Sequence, residues 1–306
     1  MSGFVRDIPL LGMMFACIFV FGPVATSAQP ADTIITAAVS LARFEDARDL
    51  AMDPGGNLYV ADAGADVVQK FGFDGTLLFT LGGPGSEEGQ FDEPSGIDPT
   101  NGLILVVADA GNGRLKRFSR EFHFLESVPL GSYEMGGTGE QATYLARQGE
   151  VLAHGDGRPI AVVTSEGDET FAVDEDRRMV VKWDRTRRFE RTIGEEGELI
   201  RPVSLALADR LLFVADAGAN AVVVFDEFGG YLRTLADGRA VEVQSVSAGN
   251  HVLWVVLPHR ILVYQTAGRL ERVLDVQLDE LLVDSVFRGS VLYFLTATHL
   301  WSTEIR

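Results

Sequence analysis

Short apolar runs recur along most of the chain, and each is bounded by Gly, Asp, Asn or Pro, residues that favour turns. The pentapeptide Val-Ala-Asp-Ala-Gly occurs at 60–64, 107–111 and 214–218, and a weaker copy, Ala-Val-Asp-Glu-Asp, occurs at 172–176. Each copy follows one apolar run and precedes another. Self-similarity at this spacing predicts a fold made of stacked supersecondary units.

The first complete repeat covers 47–82. It contains strand-like runs at 50–52, 58–61, 67–71 and 76–81, separated by turns rich in Gly and Asp. Short strands joined in this way form an antiparallel meander, which is one blade of a β-propeller. Further repeats begin near Pro94, Pro159, Pro202, Val243 and Val283.

The two ends of the chain are predicted to complete one another. The last repeat lacks an outer strand and ends at 299–304, whereas the β-branched stretch at 33–44 precedes the first repeat as a spare strand. Pairing these two segments would remove the free sheet edges of an open ring. The chain is therefore predicted to be an all-β, six-bladed β-propeller of four-stranded antiparallel blades, closed by an N-terminal strand that completes the last blade.

Residues 1–28 are predicted to be a secretory signal peptide. Arg6 precedes an apolar run at 8–22, and a helix breaker and small residues then lead to a cleavage site after Ala28. One alternative is an uncleaved membrane anchor, although the run is shorter than the ~20 residues that span a bilayer. The other is a lipoprotein site at Cys17, where the preceding residues match poorly.

The expected mature chain, 29–306, is one propeller domain that is exported to the periplasm or the cell exterior. It should have no membrane span and no disulfide, because the single cysteine lies in the signal peptide, and we expect a monomer. The segment at 131–157 does not fit the repeat and is expected to be an insertion on one face. Loops on a rigid scaffold often carry function, but decoration is equally open here.

The chain is strongly acidic, with a formal net charge of −18 at pH 7. A surface of this sign repels a phosphate backbone, so nucleic acid is excluded as a partner. The sequence also holds no nucleophile elbow, no phosphate-cradling Gly loop and no cysteine pair.

The repeat resembles the NHL repeat. Its features are Pro-x-Gly/Ser-Ile/Leu-Ala, Gly-x-Leu-Tyr/Phe-Val-Ala-Asp, Asn-x-x-Ile/Leu-x-x-Phe and Asp-x-x-Gly, best preserved at 47–82, 94–118 and 202–230. The resemblance implies a six-bladed propeller over most of the mature chain. The NHL family includes protein-binding modules, RNA binders, extracellular sensor domains and a metal-dependent lyase, so the resemblance leaves the function open.

The aspartate of each Val-Ala-Asp copy is predicted to be structural. An Asp beside Gly or Asn in a turn most often accepts backbone N–H groups of its own loop. A shared ligand ring on one face is the alternative. These turn acids are Asp62, Asp109, Asp174 and Asp216.

First strands line the central channel of a propeller, and two acids stand there. Asp49 and Asp284 are predicted to flank the channel mouth in adjacent blades, with Arg48, Ser95 and Gln244 nearby. Such oxygens suit Ca²⁺, which takes six or more ligands. Lactonases and the amidating lyase, propellers of similar fold, hold a metal in this channel, but their ligands are not matched here. No cofactor is therefore expected, and a channel Ca²⁺ is the alternative.

Basic residues crowd the outer half of the third repeat, beside an acidic loop at 195–198. We expect a solvated face that partly neutralises itself, and the alternative is a docking edge for an acidic partner. His259 and His299 should fall near each other on the face that carries the turn acids. The basic-edge residues are Arg177, Arg178, Lys182, Arg185, Arg187 and Arg188.

These observations favour an exported, non-enzymatic NHL-type propeller that binds a protein, peptide or glycan on one face. The alternative is a divalent-metal-dependent hydrolase or lyase, lactonase-like or amidating-lyase-like, with its site at the Asp49/Asp284 mouth.

Overall fold

The computed structural model describes residues 31–99, 101–130, 157–194, 197–235 and 241–305. The predicted signal peptide and nearly all of the predicted insertion lie outside these ranges. All regular structure within them is β, in strands numbered β1 to β25. The described ranges contain no helix that is long and apolar enough to cross a membrane.

The strands form six sheets, each with the strand order of a meander, and the prediction of six blades is confirmed. Blade one consists of β3 (Ala47–Met52), β4 (Leu58–Asp62), β5 (Val67–Phe71) and β6 (Leu77–Gly82). Blade two consists of β7 (Pro94–Asp98), β8 (Ile104–Asp109), β9 (Arg114–Ser119) and β10 (Phe124–Pro129). Blade three consists of β11 (Pro159–Thr164), β12 (Thr170–Asp174), β13 (Met179–Trp183) and β14 (Phe189–Ile193).

The second half of the ring repeats the arrangement, and the first strands of neighbouring blades contact one another around a closed circle. Blade four consists of β15 (Pro202–Ala208), β16 (Leu211–Asp216), β17 (Ala221–Asp226) and β18 (Tyr231–Leu235). Blade five consists of β19 (Ser245–Gly249), β20 (Val252–Leu257), β21 (Arg260–Gln265) and β22 (Leu270–Val276). Blade six consists of β23 (Leu282–Arg288), β24 (Val291–Thr296), β25 (His299–Glu304) and the N-terminal β2 (Val39–Arg43).

The N-terminal segment closes the ring, but not as the single strand predicted at 33–44. Strand β2 pairs antiparallel with β25, so that the last blade gains its outer strand as expected. Strand β1 (Ala31–Ile35) instead pairs parallel with β22 and becomes a fifth strand of blade five. Ile35 is buried in the core between blades five and six, which fixes the crossing point from one blade to the next. The N-terminal segment therefore ties two blades together.

The hydrophobic core lies between blades. Six clusters of buried apolar side chains occur, and each draws its residues from two blades that are neighbours in the ring. Between blades six and one, Phe44 meets Phe71 edge to face with 5.9 Å between ring centroids, in the cluster that contains Tyr293. Because a single repeat cannot bury such a face alone, each blade depends on its neighbours for stability.

The ring has two distinct faces. The connection face carries the turns between second and third strands and the links from one blade to the next. The hairpin face carries the turns between first and second strands and between third and fourth strands. Every first strand therefore runs from the connection face to the hairpin face.

All four turn acids are buried at the connection face, where they accept hydrogen bonds from the backbone. Asp216 accepts the N–H groups of Ile200 (2.6 Å) and Arg201 (2.9 Å), which belong to the segment that enters its blade. Asp62 and Asp109 accept N–H groups of the corresponding segments in blades one and two. In blade three, Asp174 accepts the N–H and the guanidinium of Arg177. Each acid thus holds the connection face of its blade together.

Gly96 allows two first strands to approach closely. A Cβ built on Gly96 would lie 2.8 Å from the Cα of Ala161 and 3.2 Å from the carbonyl oxygen of Ile160, both on the neighbouring first strand. Both contacts are with backbone, which cannot rotate away as a side chain can. The closeness of blades two and three at the channel therefore depends on the missing side chain.

Replacing Gly96 tests this packing. Gly96→Ala should lower the free energy of unfolding by about 1–3 kcal/mol, the usual cost of forcing an extra group into a packed core. Gly89→Ala is the matched control, because a Cβ there would meet nothing within 4 Å. Urea unfolding monitored by circular dichroism measures both, and equal stability of the two variants would contradict the packing account.

Candidate functional site

The central channel widens into a cavity at each face. The cavity at the connection face, here called the mouth, has a volume of about 350 Å³. The cavity at the hairpin face, here called the cup, has a volume of about 500 Å³. Asp49, Ala161 and Ser204 line both cavities and form the waist between them. The cup falls within the size range of ordinary small-molecule sites.

Irregular strand pairing shapes the channel wall. The register between first and second strands shifts near the start of the first strand in five blades, for example between Ala47 and Asp49 in blade one. A β-bulge lets successive side chains leave the sheet in new directions and is common next to functional sites. The shift in blade six falls between Leu282 and Asp284, so both channel acids directly follow one.

Asp49 and Asp284 link four neighbouring first strands, those of blades five, six, one and two. The backbone N–H of Leu50 in blade one donates to Asp284 Oδ2 of blade six (3.1 Å). The backbone N–H of Ile97 in blade two donates to Asp49 Oδ2 (2.6 Å). Ser245 Oγ of blade five donates to Asp284 Oδ1 (2.6 Å). Serines make similar links to the backbone of the next blade at other junctions: Ser95 to Pro159, Ser204 to Val246 and Ser247 to Ser285.

The two carboxyl groups also interact with each other, and this interaction favours the protonated form of Asp49. Burial raises the pKa of Asp49 well above its ordinary value of 3.8, and the charge of Asp284 and a hydrogen bond with it raise that pKa further. Burial also raises the pKa of Asp284, but hydrogen bonds from Asp49, Ser245 and the backbone favour its charged form. The pair therefore behaves as an acid that donates to a carboxylate, because two like charges this close resist ionising together.

This arrangement does not fit a metal ion. A hard cation such as Ca²⁺ needs six or more oxygen ligands, whereas only two carboxyl groups meet here and both oxygens of each already accept hydrogen bonds from N–H or O–H groups. Within the described parts of the chain, no group of three or more His, Cys, Asp or Glu side chains is placed to hold a metal. Asp49 and Asp284 are instead placed to join blades.

The residues predicted at the channel mouth divide between the two cavities. Asp284 lies deeper than expected and lines the cup. At the surface, the guanidinium of Arg48 pairs with Asp46, and Gln244 Nε2 donates to the carbonyl oxygen of Glu242 (2.8 Å). The other four predicted residues do line the mouth: Arg48, Asp49, Ser95 and Gln244.

Half of the predicted basic edge is paired with acids. Lys182 is buried, and its Nζ lies 3.0 Å from Glu169 and 3.1 Å from Glu190, so it cannot present a charge to a partner. Its position on the third strand of the blade, between neighbouring acids, explains the burial. Further ion pairs join Arg177 to Asp174, and Arg187 to Glu126 and Asp168. The exposed basic residues of the edge are Arg177, Arg178, Arg185 and Arg188, of which Arg177 is paired.

His299, which was predicted to lie near His259, contacts Glu280 and Thr298. His299 Nδ1 lies 3.1 Å from Glu280 Oε1 and 2.7 Å from Thr298 Oγ1, at the connection face of blade six. His259 is exposed. A third histidine, His251, lies with its Nδ1 2.6 Å from Asp209 Oδ1 at the hairpin face.

The cup is the feature of the channel that sequence reasoning missed. Trp254 and Phe287 stack with 4.7 Å between ring centroids and form part of its wall. Trp254 comes from a second strand, which the blade register does not place at a channel. It reaches the cup because blade five ends its first strand in Ser-Ala-Gly, with Ser247 directly opposite the indole.

Asp98 also lines the cup. It is buried and accepts the N–H of Thr164 from blade three.

The fold is similar to that of several solved enzymes. A catalytically inactive virginiamycin B lyase from Staphylococcus aureus, solved with quinupristin, is 10% identical with a TM-score of 0.62, over 88% of this chain and 99% of that chain. A gluconolactonase from Xanthomonas campestris is 13% identical with a TM-score of 0.64, over 88% of this chain and 89% of that chain. A streptogramin B lyase is 11% identical with a TM-score of 0.58, over 84% and 78%.

At these identities the likeness shows the fold alone. It supports an all-β, six-bladed propeller with neighbours of the gluconolactonase and virginiamycin B lyase type. No protein-family model matches the chain, and no curated protein matches it either.

Two substitutions test which channel acid carries the proton. Asp49→Asn should destabilise the fold less than Asp284→Asn at neutral pH, because an amide can donate to Asp284 and accept from Ile97, although it loses the N–H of Leu50. Asp284→Asn should cost about 1–3 kcal/mol, because an amide nitrogen would replace an oxygen that accepts the N–H of Leu50 or Ser285. Thermal and urea unfolding measure both effects, and equal losses in the two variants would contradict the assignment.

The same pair predicts the pH dependence of stability. Because the pKa of Asp49 is higher in the folded chain, this group stabilises the fold below 3.8 and that contribution is lost as pH rises through the raised pKa. Unfolding free energies measured from pH 4 to 8 should therefore fall less steeply for Asp49→Asn than for the parent. Identical slopes would show that Asp49 has an ordinary pKa.

Proposed function

We propose that this chain is an exported NHL-type propeller that serves as a binding module for a protein, peptide or glycan, and that its ligand engages the central channel. The main support is the set of hydrogen bonds that the two channel acids make with neighbouring blades. Asp49 and Asp284 accept hydrogen bonds from neighbouring blades, so they hold the ring together. A propeller hydrolase of the metal-dependent kind would need these oxygens for its ion.

Charge and shape agree with a binding role. The net charge of −18 disfavours nucleic acid and other polyanions as ligands. The cup offers a concave space with apolar and aromatic walls and several polar groups, a composition found in ligand sites. The predicted signal peptide supports a location outside the cytoplasm, where such a module would meet its ligand.

An enzyme is the second candidate, and the solved neighbours favour it. Proteins of the same fold are named as a lyase and a gluconolactonase, and both activities use a propeller scaffold. In this chain the place for that chemistry would be the mouth, beside Asp49 and Arg48. Fold alone does not supply a reaction, because the chemistry depends on the residues of the site.

Metal dependence separates the two candidates. The melting temperature of the purified mature chain should be unchanged by millimolar Ca²⁺ and by chelator, because the described residues of the channel bring together too few acidic ligands to hold an ion. Elemental analysis should find no stoichiometric metal. A melting temperature that rises with Ca²⁺ and loses this response in Asp49→Ala would favour the enzyme.

A further inference from the structure

We propose that the cup binds a small amphiphilic organic cation, an ammonium or guanidinium group carried on an apolar stem. This inference rests on the proposed function, since it gives a chemical class to the ligand of the same channel. Two independent features of the cup support it: the aromatic and apolar nature of its walls, and the sign of the charges that line it.

The walls suit an apolar stem beside a positive charge. Trp254 and Phe287 present stacked rings, and Met52, Leu207 and Val286 add aliphatic surface around the same space. The face of an indole ring attracts a cation, by ~0.5–2 kcal/mol depending on how dry the site is. A volume of about 500 Å³ encloses a molecule of this kind.

The charges of the cup are all of one sign. Burial and the neighbouring Asp284 raise the pKa of Asp49, so the pair favours a single negative charge over two. Asp98 is also buried and accepts the N–H of Thr164, and Asp53 at the rim pairs with Lys70 (3.4 Å). Among the described residues, the lining includes no Lys, Arg or His, and its acids are Asp49, Asp53, Asp98 and Asp284.

The excess of acids in the lining of the cup determines which charge it favours in a ligand. Low-dielectric walls strengthen the field of buried carboxylates, so that an anion in the cup would be repelled and a cation attracted. The carboxylates are already hydrogen bonded to the backbone, and therefore act through their field rather than by direct ion pairing. A compact cation with few N–H groups fits such a site better than a group that needs many acceptors.

Tryptophan fluorescence provides the direct assay. The tryptophans are Trp183, Trp254 and Trp301, and of these Trp254 lines the cup. The full mature chain would be titrated with benzyltrimethylammonium, benzyl alcohol and phenylacetate, which share an aromatic stem but differ in charge. We expect saturable quenching by the cation, with affinity at least about tenfold above the other two probes. The quenching should disappear in Trp254→Phe.

A matched pair of charge variants tests the electrostatic part. Asp98→Asn should weaken binding of benzyltrimethylammonium about tenfold and leave benzyl alcohol unchanged. Asp74→Asn removes the same charge from an exposed turn of blade one and should have no effect. Asp98 accepts the N–H of Thr164, so loss of binding in Asp98→Asn would also follow from misfolding. A second variant, in which Asp98 is kept, separates these two causes. Val286→Lys, checked by circular dichroism, should abolish cation binding by placing an ammonium group in the cup.

The outcomes separate this inference from the proposed function. Equal or tighter binding of phenylacetate would overturn the cation assignment and leave a binding module in place. Quenching by the tripeptide Ala-Lys-Ala but not by benzyltrimethylammonium would overturn the small-molecule source in favour of a peptide side chain. Quenching by no probe would overturn the cup as the site. A Ca²⁺-dependent melting temperature would overturn the proposed function itself.

Discussion

Six first strands must converge around one axis, and the rest of the structure depends on how the space between them is shared. Where strands approach most closely, only a missing side chain suffices, as at Gly96 against Ala161. Elsewhere a short polar side chain bonds to the backbone of the next blade, as Ser204 does with Val246. These links replace the hydrogen bonds that strands of separate sheets cannot make with each other. The side chains of the channel wall thus serve first to join the six blades.

The acids of the channel follow from the same constraint. A carboxyl group can accept two N–H groups from different blades, which a serine does less well, but it must then be buried with its charge. Asp49 and Asp284 resolve this conflict by sharing one proton, and burial is the leading cause of both pKa changes. Their negative field reaches the cup on the hairpin side, where Trp254 and Phe287 form the wall. The same acids thus join the blades and underlie the proposed preference of the cup for a cation.

The repeat allowed the architecture to be predicted, because the turn aspartates and the period of apolar runs are local signals. Asp216 does accept N–H groups of its own turn, as predicted, and also those of the segment that enters the blade, whereas Asp62 accepts N–H groups of the entering segment. The two-part N-terminal segment was missed because the parallel pairing of β1 with β22 is a long-range contact. The cup was missed because the side chain of Trp254 reaches it past the small residues of another strand.

The central claim is that the channel acids hold a shared proton as part of the ring rather than a metal ion. Infrared difference spectroscopy between the parent chain and Asp49→Asn at neutral pH tests it most directly. The account predicts a C=O stretching band of a protonated, buried carboxyl group in the parent, which is absent in the variant and unchanged by Ca²⁺. Two ionised carboxylates in the parent, or loss of the protonated band on adding Ca²⁺, would contradict it.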